Sequence, residues 1–452
     1  MPKRIIVIGG LAAGPSAASK AVRTNPNVAV TLFEQGEHIS YGVCEIPYYI
    51  SGEVQESGLV SYTPATLREK KGVDARILHS VEEIRPSKRI VVVRNLATAE
   101  VREERYDRLI VATGSRPKKL GVEGEDARNV FAVKSLSQSF LLKKFIDEEK
   151  PRRAVIVGGG YIGMEMSDAL RSLDIDVTLL HRHSLPMSGL ERETRERIRE
   201  ELEKHGVHFV GNVAVEGIVV DKHRKATHVV SNVGSFETDL VIVAIGVEPN
   251  TSLARAAGIR LGAHNGILTD TRQETNLDNI FAAGDCCEVK NLVHNKKMYI
   301  PLATIASKAG WVAGENAAGG KATFPGAIRA IAVRVFGLEV AQVGLNASEA
   351  SEAGFDVAIE TVTAWARVAV MPKSTKVIIR MIADRKSDRL LGANVYGEHG
   401  AVLRANTLTV AIQHRITIQD MQNWDLAYTP PYTPLWDPIL VAANAMNKKL
   451  TP

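Results

Sequence analysis

Two stretches of this chain repeat one order of apolar and polar positions: a short apolar run, a glycine turn, a helical pattern, then a second apolar run. The first spans residues 4 to 34, with IIVIG, the turn GLAAG, an Ala-rich helix through Arg23 and the strand VAVTLFE, which ends on Glu34. The second spans Ala154 to Leu180, with AVIVG, GGGYIG, the helix YIGMEMSDALRSL and the strand VTLL, which runs into His181 and Arg182. Short apolar runs bounded by glycine are the pattern of strands buried on both faces of a parallel sheet. Between the two units the pattern predicts a helix over Pro64 to Lys71, alternating sheet segments such as Arg89 to Arg94, and a buried strand in DRLIVATGSRP closing on a glycine turn. After the second unit come a densely charged helix, Glu191 to His205, capped by Gly206, and the strand-to-loop segment VIVAIGVEPN, which repeats the logic of LIVATGSRP. NIFAAGDC then reads as an apolar strand ending in an acid, Asp285. From about Pro325 the pattern changes to β-branched strands (IRAIAVRVFGLEVAQVGL, VIIRMI, LLGANVYG), a helix near Ala401 to His414 and the aromatic end WDLAYTPPYTPLWDP.

The predicted class is α/β, with two Rossmann-like units and a C-terminal α+β module. The divisions fall at 1–115, 116–249 for the inserted second unit, 250–325 for the return to the first, and 326–452. The length of 452 residues suits about three domains of ordinary size. Lys3-Arg4 followed by Ile5 to Ala18 imitates a short secretory leader, but the same residues parse better as strand, glycine turn and helix. No apolar run of membrane-spanning length occurs. The net charge of +5 is small for this length and no long Lys/Arg run is present, which argues against nucleic-acid and membrane-surface binding. Three cysteines, Cys44, Cys286 and Cys287, make no disulfide framework and point to a reducing compartment, the cytoplasm.

The glycine turns carry the first chemistry. Glu34 follows Gly14 by 20 residues, the spacing at which a helix N-terminus faces a pyrophosphate while an acid accepts hydrogen bonds from a ribose. That first fingerprint is imperfect, because Gly9 and Gly14 hold its ends while Leu11 takes the middle position. In the second unit Gly158, Gly160 and Gly163 complete the motif, and the strand ends in His181-Arg182, where an NADH-selective site usually carries an acid; with no carboxylate at 181, Arg182 can face a 2′-phosphate. Between the units lies SYGVCEIPYY. The two positions that would make a CxxxxC dithiol with Cys44 are Ile39 and Tyr49, so Cys44 works alone locally. Vicinal Cys286 and Cys287 are expected to be ordinary buried residues. No residue is assigned to a metal.

Taken together, GGLAAG, Glu34, SYGVC, ATGSRP, GGGYIG, AIGVEPN, AAGDC and YTPPY occur in an order that resembles the pyridine nucleotide-disulfide oxidoreductases. The resemblance covers essentially the whole chain and is closest to the single-cysteine branch of coenzyme A disulfide reductases, NADH oxidases and NADH peroxidases. It implies FAD on the first unit, NADPH or NADH on the second, and a homodimer in which the C-terminal segment completes the partner's active site. By the same resemblance Gly9, Gly14 and Glu34 serve the FAD pyrophosphate and ribose, Asp285 serves the flavin ribityl chain, and Cys44 is the redox cysteine. The histidine that oxidases and peroxidases keep in a GxxHAG turn is Ala12 here. Coenzyme A disulfide reductases line a nucleotide pocket with residues matching Ser16, Lys20, Arg23, Ser40 and Lys71, and they share the pair His181-Arg182. Cations there suit the phosphates of coenzyme A. Two departures leave the oxidised acceptor open: Val43 replaces an asparagine, and Val370-Met371 replace tandem tyrosines, whereas Tyr428 in AYTPPY remains.

The implied activity is an NAD(P)H-dependent reduction of a small disulfide, polysulfide or persulfide. Electrons pass through the flavin to an oxidised Cys44, and the resulting thiolate attacks the next acceptor while Tyr428 protonates the leaving thiolate. A lowered thiol pKa is needed, and the flavin and a helix N-terminus are expected to supply it. A rival reading keeps the flavin but passes electrons directly to oxygen, a quinone or an activated double bond. A third reading makes the protein a redox-signalling flavoprotein that binds a protein partner.

Overall fold

The computed structural model describes residues 2–450 and is organised around three five-stranded sheets. The first is a five-stranded parallel sheet in the order Ile280–Ala282, Arg108–Val111, Lys3–Ile8, Val28–Phe33, Asp74–Arg76. Lys3–Ile8 lies at its centre, with Ile8 level with Phe33 on one side and Val111 on the other. Chain connections therefore leave this strand's C-terminal end in both directions, the switch point at which open α/β sheets bind ligands. The second sheet repeats the arrangement, in the order His208–Val210, Asp176–Leu180, Arg153–Val157, Leu240–Val243, Val130–Ala132, with Val157 level with Leu180 and Val243. The two units are joined by a narrow ribbon in which Ser115–Pro117 pairs antiparallel with Val247–Pro249. DRLIVATGSRP is thus two strands rather than one, broken at Ala112 to Gly114, where Gly114 takes a φ of +65°.

The third system is an antiparallel sheet in the order Ala330–Val335, Leu338–Gly344, Leu390–Gly397, Lys376–Asp384, Val357–Trp365. The helices Ala401–Gln413 and Pro438–Leu450 pack on it through Ala405, Leu408, Ala442 and Met446. Between these helices runs the aromatic segment 424–436, where Tyr428, Tyr432, Leu435 and Trp436 are 49–78% exposed. The C-terminal end of the segment is pinned by Asp437, which accepts three hydrogen bonds from the buried Arg404 guanidinium at 2.8–3.2 Å and caps the last helix through Ile439 N–H. A segment anchored in this way and carrying so many exposed aromatic rings is built to meet another surface.

Among the helices not evident from the apolar pattern, the three long ones are Leu136–Glu149, Ala303–Ala317 and Pro438–Leu450. Ala303–Ala317 is rich in small residues for a packing reason. Cβ atoms at Gly310 and Gly314 would lie 2.3 and 2.0 Å from the carbonyl oxygens of Ala13 and Ala17, so this helix crosses Ala13–Thr24 in near backbone contact. That crossing fixes the helix behind the first glycine turn.

Candidate functional site

One continuous cleft of about 1870 Å³ runs between the two parallel sheets. Its walls include both glycine turns, Cys44, Asp285, Glu165 and Arg182. The turns are superimposable in design. Gly9 and Gly158 take φ values of +109° and +115°, and a Cβ at either would strike the carbonyl oxygen of Ala112 or Ala244 at 2.1 and 2.4 Å, so only glycine permits the bend. Gly14 and Gly163 do not face the cleft; they let helix and turn meet, since their Cβ atoms would lie 1.9 and 2.0 Å from the Gly9 and Gly158 oxygens.

In the first unit the Glu34 carboxylate accepts hydrogen bonds from Gly10 N–H at 2.6 Å and Gly36 N–H at 2.7 Å. Burial raises its pKa, and these amide bonds oppose the rise. The acid is thereby held beside the glycine turn, where a ribose would lie. Asp285 sits past the strand Ile280–Ala282, on the turn that follows it, because Ala283 N–H bonds to Val111 and Gly284 turns the chain at a φ of +90°. Its carboxylate accepts from Ser115 Oγ at 2.9 Å and lies 3.5 Å from Lys134 Nζ. Turn amides, an acid for a ribose and a second acid deeper in the cleft form a donor and acceptor set that fits FAD. The middle position differs between units, as the motif predicts. A Cβ at Gly160 would meet no atom within 4 Å, whereas Leu11 projects a side chain onto the cleft wall.

Cys44 is exposed to this cleft. It is held there because the short helix that follows, Ile46–Ser51, buries Ile46 and Ile50 in the same apolar cluster as Ile156, Met164 and Leu170 of the second unit. The thiol thus stands where the two units meet. Its protein surroundings do not lower its pKa. Burial raises it, Glu165, Glu45 and Asp285 push in the same direction, and only Lys134 opposes them. A helix of six residues, Ile46–Ser51, does begin two residues after Cys44, and the thiol's pKa is nonetheless raised, by burial first and then by the carboxylates. Cys286 and Cys287 are buried with sulfurs 3.8 Å apart, and Cys286 Sγ points to the Val111 and Ala283 carbonyls. They belong to the core under the first sheet and do not line the cleft.

In the second unit His181 is buried and its Nδ1 accepts from Gly159 N–H at 3.1 Å. Burial, then the charges of His183, Arg195 and Arg182, lower its pKa to about 4, so the ring is neutral at pH 7. Arg182 is exposed at the cleft edge, bonded through Nε to His183 Nε2 at 3.1 Å, with no carboxylate in ion-pair distance among the described residues. Its charge is available to an anion.

The five residues expected at a substrate nucleotide divide. Ser16, Arg23 and Ser40 line the cleft, and Ser40 Oγ is buried there without a partner. Lys20 and Lys71 do not line it. Lys20 Nζ is 2.8 Å from Glu315 and 3.9 Å from the Trp311 ring centroid, so a carboxylate from the helix Ala303–Ala317 already neutralises it. Lys71 is exposed at the end of its helix, 5.7 Å from the Tyr62 ring. Tyr428 lies outside its own chain's cleft, on the aromatic segment. The pattern readings passed over Glu165, Tyr48 and Lys134. Glu165 had a signal: it is the lone acid among the apolar positions of YIGMEM.

The chain is 30% identical over 450 residues to the NAD(P)H coenzyme A polysulfide/persulfide reductase of Pyrococcus horikoshii, covering 99% of both chains. Among solved structures, the NAD-dependent persulfide reductase of A. fulgidus matches with a TM-score of 0.95 and 34% identity, over 99% of this chain and 83% of that one. The reduced CoADR-RHD of Bacillus anthracis matches with a TM-score of 0.96 and 30% identity, over 100% of this chain and 81% of that one. The pattern described as pyridine nucleotide-disulphide oxidoreductase matches residues 3–310, and that of the same family's dimerisation domain matches residues 331–437. Two dinucleotide turns on one cleft, an exposed cysteine between them and these matches together show that the chain belongs to the pyridine nucleotide-disulphide oxidoreductases, enzymes that work with FAD and NAD(P)H.

Proposed function

We propose that this enzyme reduces low-molecular-weight disulfides, polysulfides or persulfides, coenzyme A-linked ones among them, through Cys44. The observation that carries this reading is that Cys44 lies exposed on the cleft shared by both dinucleotide turns, while the other two cysteines are buried away from it. Gly9, Glu34 and Asp285 would hold FAD, and Gly158, Gly160 and Arg182 would hold NAD(P)H, while Gly14 and Gly163 would act behind each turn by letting helix and turn meet. Bound flavin supplies a two-electron carrier between the nicotinamide and the thiol. Cys44 then receives the electrons as its disulfide with the substrate thiol is broken, and its thiolate attacks the next acceptor. The wall of Ser16, Arg23 and Ser40 would take the phosphate-bearing part of a coenzyme A substrate. None of the three cysteines is paired in a disulfide, which suits a cytoplasmic enzyme. An anaerobic assay tests the proposal: NAD(P)H should be consumed one for one with coenzyme A disulfide or polysulfide, and consumption only with oxygen or a quinone would contradict it.

Tyr428 is proposed to act across a homodimer, one protomer's aromatic segment completing its partner's cleft. Its hydroxyl would give a proton to the leaving thiolate. Tyr428→Phe should then lower kcat by roughly a hundredfold, because it removes a proton donor and spares the nucleophile. Unchanged kcat, measured with disulfide substrate at saturating NAD(P)H, would remove Tyr428 from the mechanism.

Substrate preference offers a further check. Glu315 holds Lys20 away from any phosphate, so Glu315→Gln should free that ammonium and lower KM for coenzyme A-bearing substrates by about fivefold, a change on the order of 1 kcal/mol. Inorganic polysulfide, with no phosphate to pair, should show an unchanged KM. Equal changes for both substrates would mean that Lys20 lies off the substrate path.

A further inference from the structure

Two helices build the wall that a coenzyme A-linked substrate would meet. Ser16, Lys20 and Arg23 recur at helical spacing along Ala13–Thr24, and Ser307, Trp311 and Glu315 do so along Ala303–Ala317, so each set forms one stripe. The near backbone contact at Gly310 and Gly314 brings the two stripes side by side. At one end of the seam Ser16 Oγ and Ser307 Oγ are 2.9 Å apart, and further along Lys20 Nζ reaches both Trp311 and Glu315. Ser16, Arg23, Ser307 and Trp311 line the cleft.

Trp311 is not held there by core packing. The residues around it on its helix, Gly310, Val312, Ala313 and Gly314, are buried, whereas Trp311 is 41% exposed and is the one tryptophan on the cleft wall among the described residues. Lys20 Nζ lies over one face of the ring, 3.9 Å from its centroid, and Glu315 anchors that ammonium at 2.8 Å. A cation on the ring, itself tied to a carboxylate of the same helix, fixes the orientation of the indole. The exposed area then belongs to the other face and the edge. A flat aromatic surface therefore stands on the seam between a pair of hydroxyls and the Arg23 guanidinium.

We propose that Trp311 is the stacking platform for the adenine of coenzyme A-linked substrates, with Arg23 meeting a phosphate of the same nucleotide. This rests on reading the substrate as a coenzyme A-linked disulfide or persulfide, and it adds what recognises the base. A purine stacks through its π-face, which an indole offers and an aliphatic wall does not, while the phosphate takes the guanidinium. Inorganic polysulfide carries neither group and needs nothing from the seam. Trp311 thus sets the preference for nucleotide-bearing substrates over small ones.

Calorimetric titration of the FAD-loaded enzyme with adenosine 3′,5′-bisphosphate tests the site, with saturating NADP⁺ present to occupy the second glycine turn. This probe has the base and 3′-phosphate of coenzyme A without its thiol arm. Trp311→Leu should weaken its binding about tenfold, and Trp311→Phe, which restores an aromatic face, should recover most of the loss. In turnover, Trp311→Leu should raise KM for coenzyme A disulfide by about tenfold, and KM for pantetheine disulfide, the thiol arm without the nucleotide, by less than about twofold. Unaltered bisphosphate affinity in Trp311→Leu would overturn the platform. Equal KM changes for the two disulfides would also overturn it and make Trp311 a support of the helix crossing. Weaker bisphosphate binding with an unchanged KM for coenzyme A disulfide would overturn the substrate role and leave a site for free nucleotides. The titration needs no turnover, so its failure is distinct from failure of the thiol reading.

Discussion

Cys44→Ser should abolish the reduction of disulfide and polysulfide substrates, by at least about a thousandfold, while flavin reduction by NAD(P)H proceeds at the wild-type rate. The separation follows from geometry. On the proposed assignment the nicotinamide would enter along the turn of Gly158 to Gly163, whereas Cys44 belongs to the loop after the first unit's second strand and lines the cleft from that separate element. Removing the sulfur leaves the hydride path untouched and deletes the group to which electrons pass. No other thiol can substitute, since Cys286 and Cys287 are 0% and 3% exposed and packed beneath the sheet. Stopped-flow absorbance of the flavin, set beside steady-state turnover, reads the two half-reactions separately. Full turnover of Cys44→Ser with its best acceptor would shift the account to direct transfer from flavin to a non-thiol acceptor.

The second large effect is on nucleotide choice. Arg182→Glu should lower kcat/KM for NADPH by about a hundredfold, about 2.7 kcal/mol, and for NADH by only a few fold. The wild-type edge of the second turn presents Arg182 without a carboxylate partner and a neutral His181 where an NADH-selective site has an acid. A glutamate reverses the charge that a 2′-phosphate meets, and NADH has no such phosphate. Parallel losses for both nucleotides, in kcat/KM measured by flavin reduction, would place Arg182 away from the 2′-position.

What could be read from the chain depended on whether the governing interactions are local. The glycine turns were legible because a strand, a bend that only glycine allows and a helix lie within some fifteen residues, and Gly9 and Gly158 do make that bend. Cys44 was legible by position between the two units. The helix Ala303–Ala317 was not, because its small residues answer to Ala13 and Ala17 on a distant helix rather than to its own periodicity. Lys20, placed by resemblance among the cations of a substrate pocket, has an ion pair that the sequence hides for the same reason: its partner, Glu315, lies on that helix and meets it through the crossing. The thiol's electrostatics failed at the same point. The expected helix N-terminus was not placed by any local pattern, and burial, with Glu165 and Asp285 reaching the cleft from other elements, raises the thiol's pKa.

The most direct test of the central claim is the mass of the Cys44 peptide from holoenzyme acid-quenched during anaerobic turnover, before and after excess NAD(P)H. The account predicts a fraction of Cys44 carrying the substrate thiol as a mixed disulfide, lost completely on reduction, with Cys286 and Cys287 unmodified throughout. An unmodified Cys44 thiol in every sample, in an enzyme turning over at full rate, would contradict it.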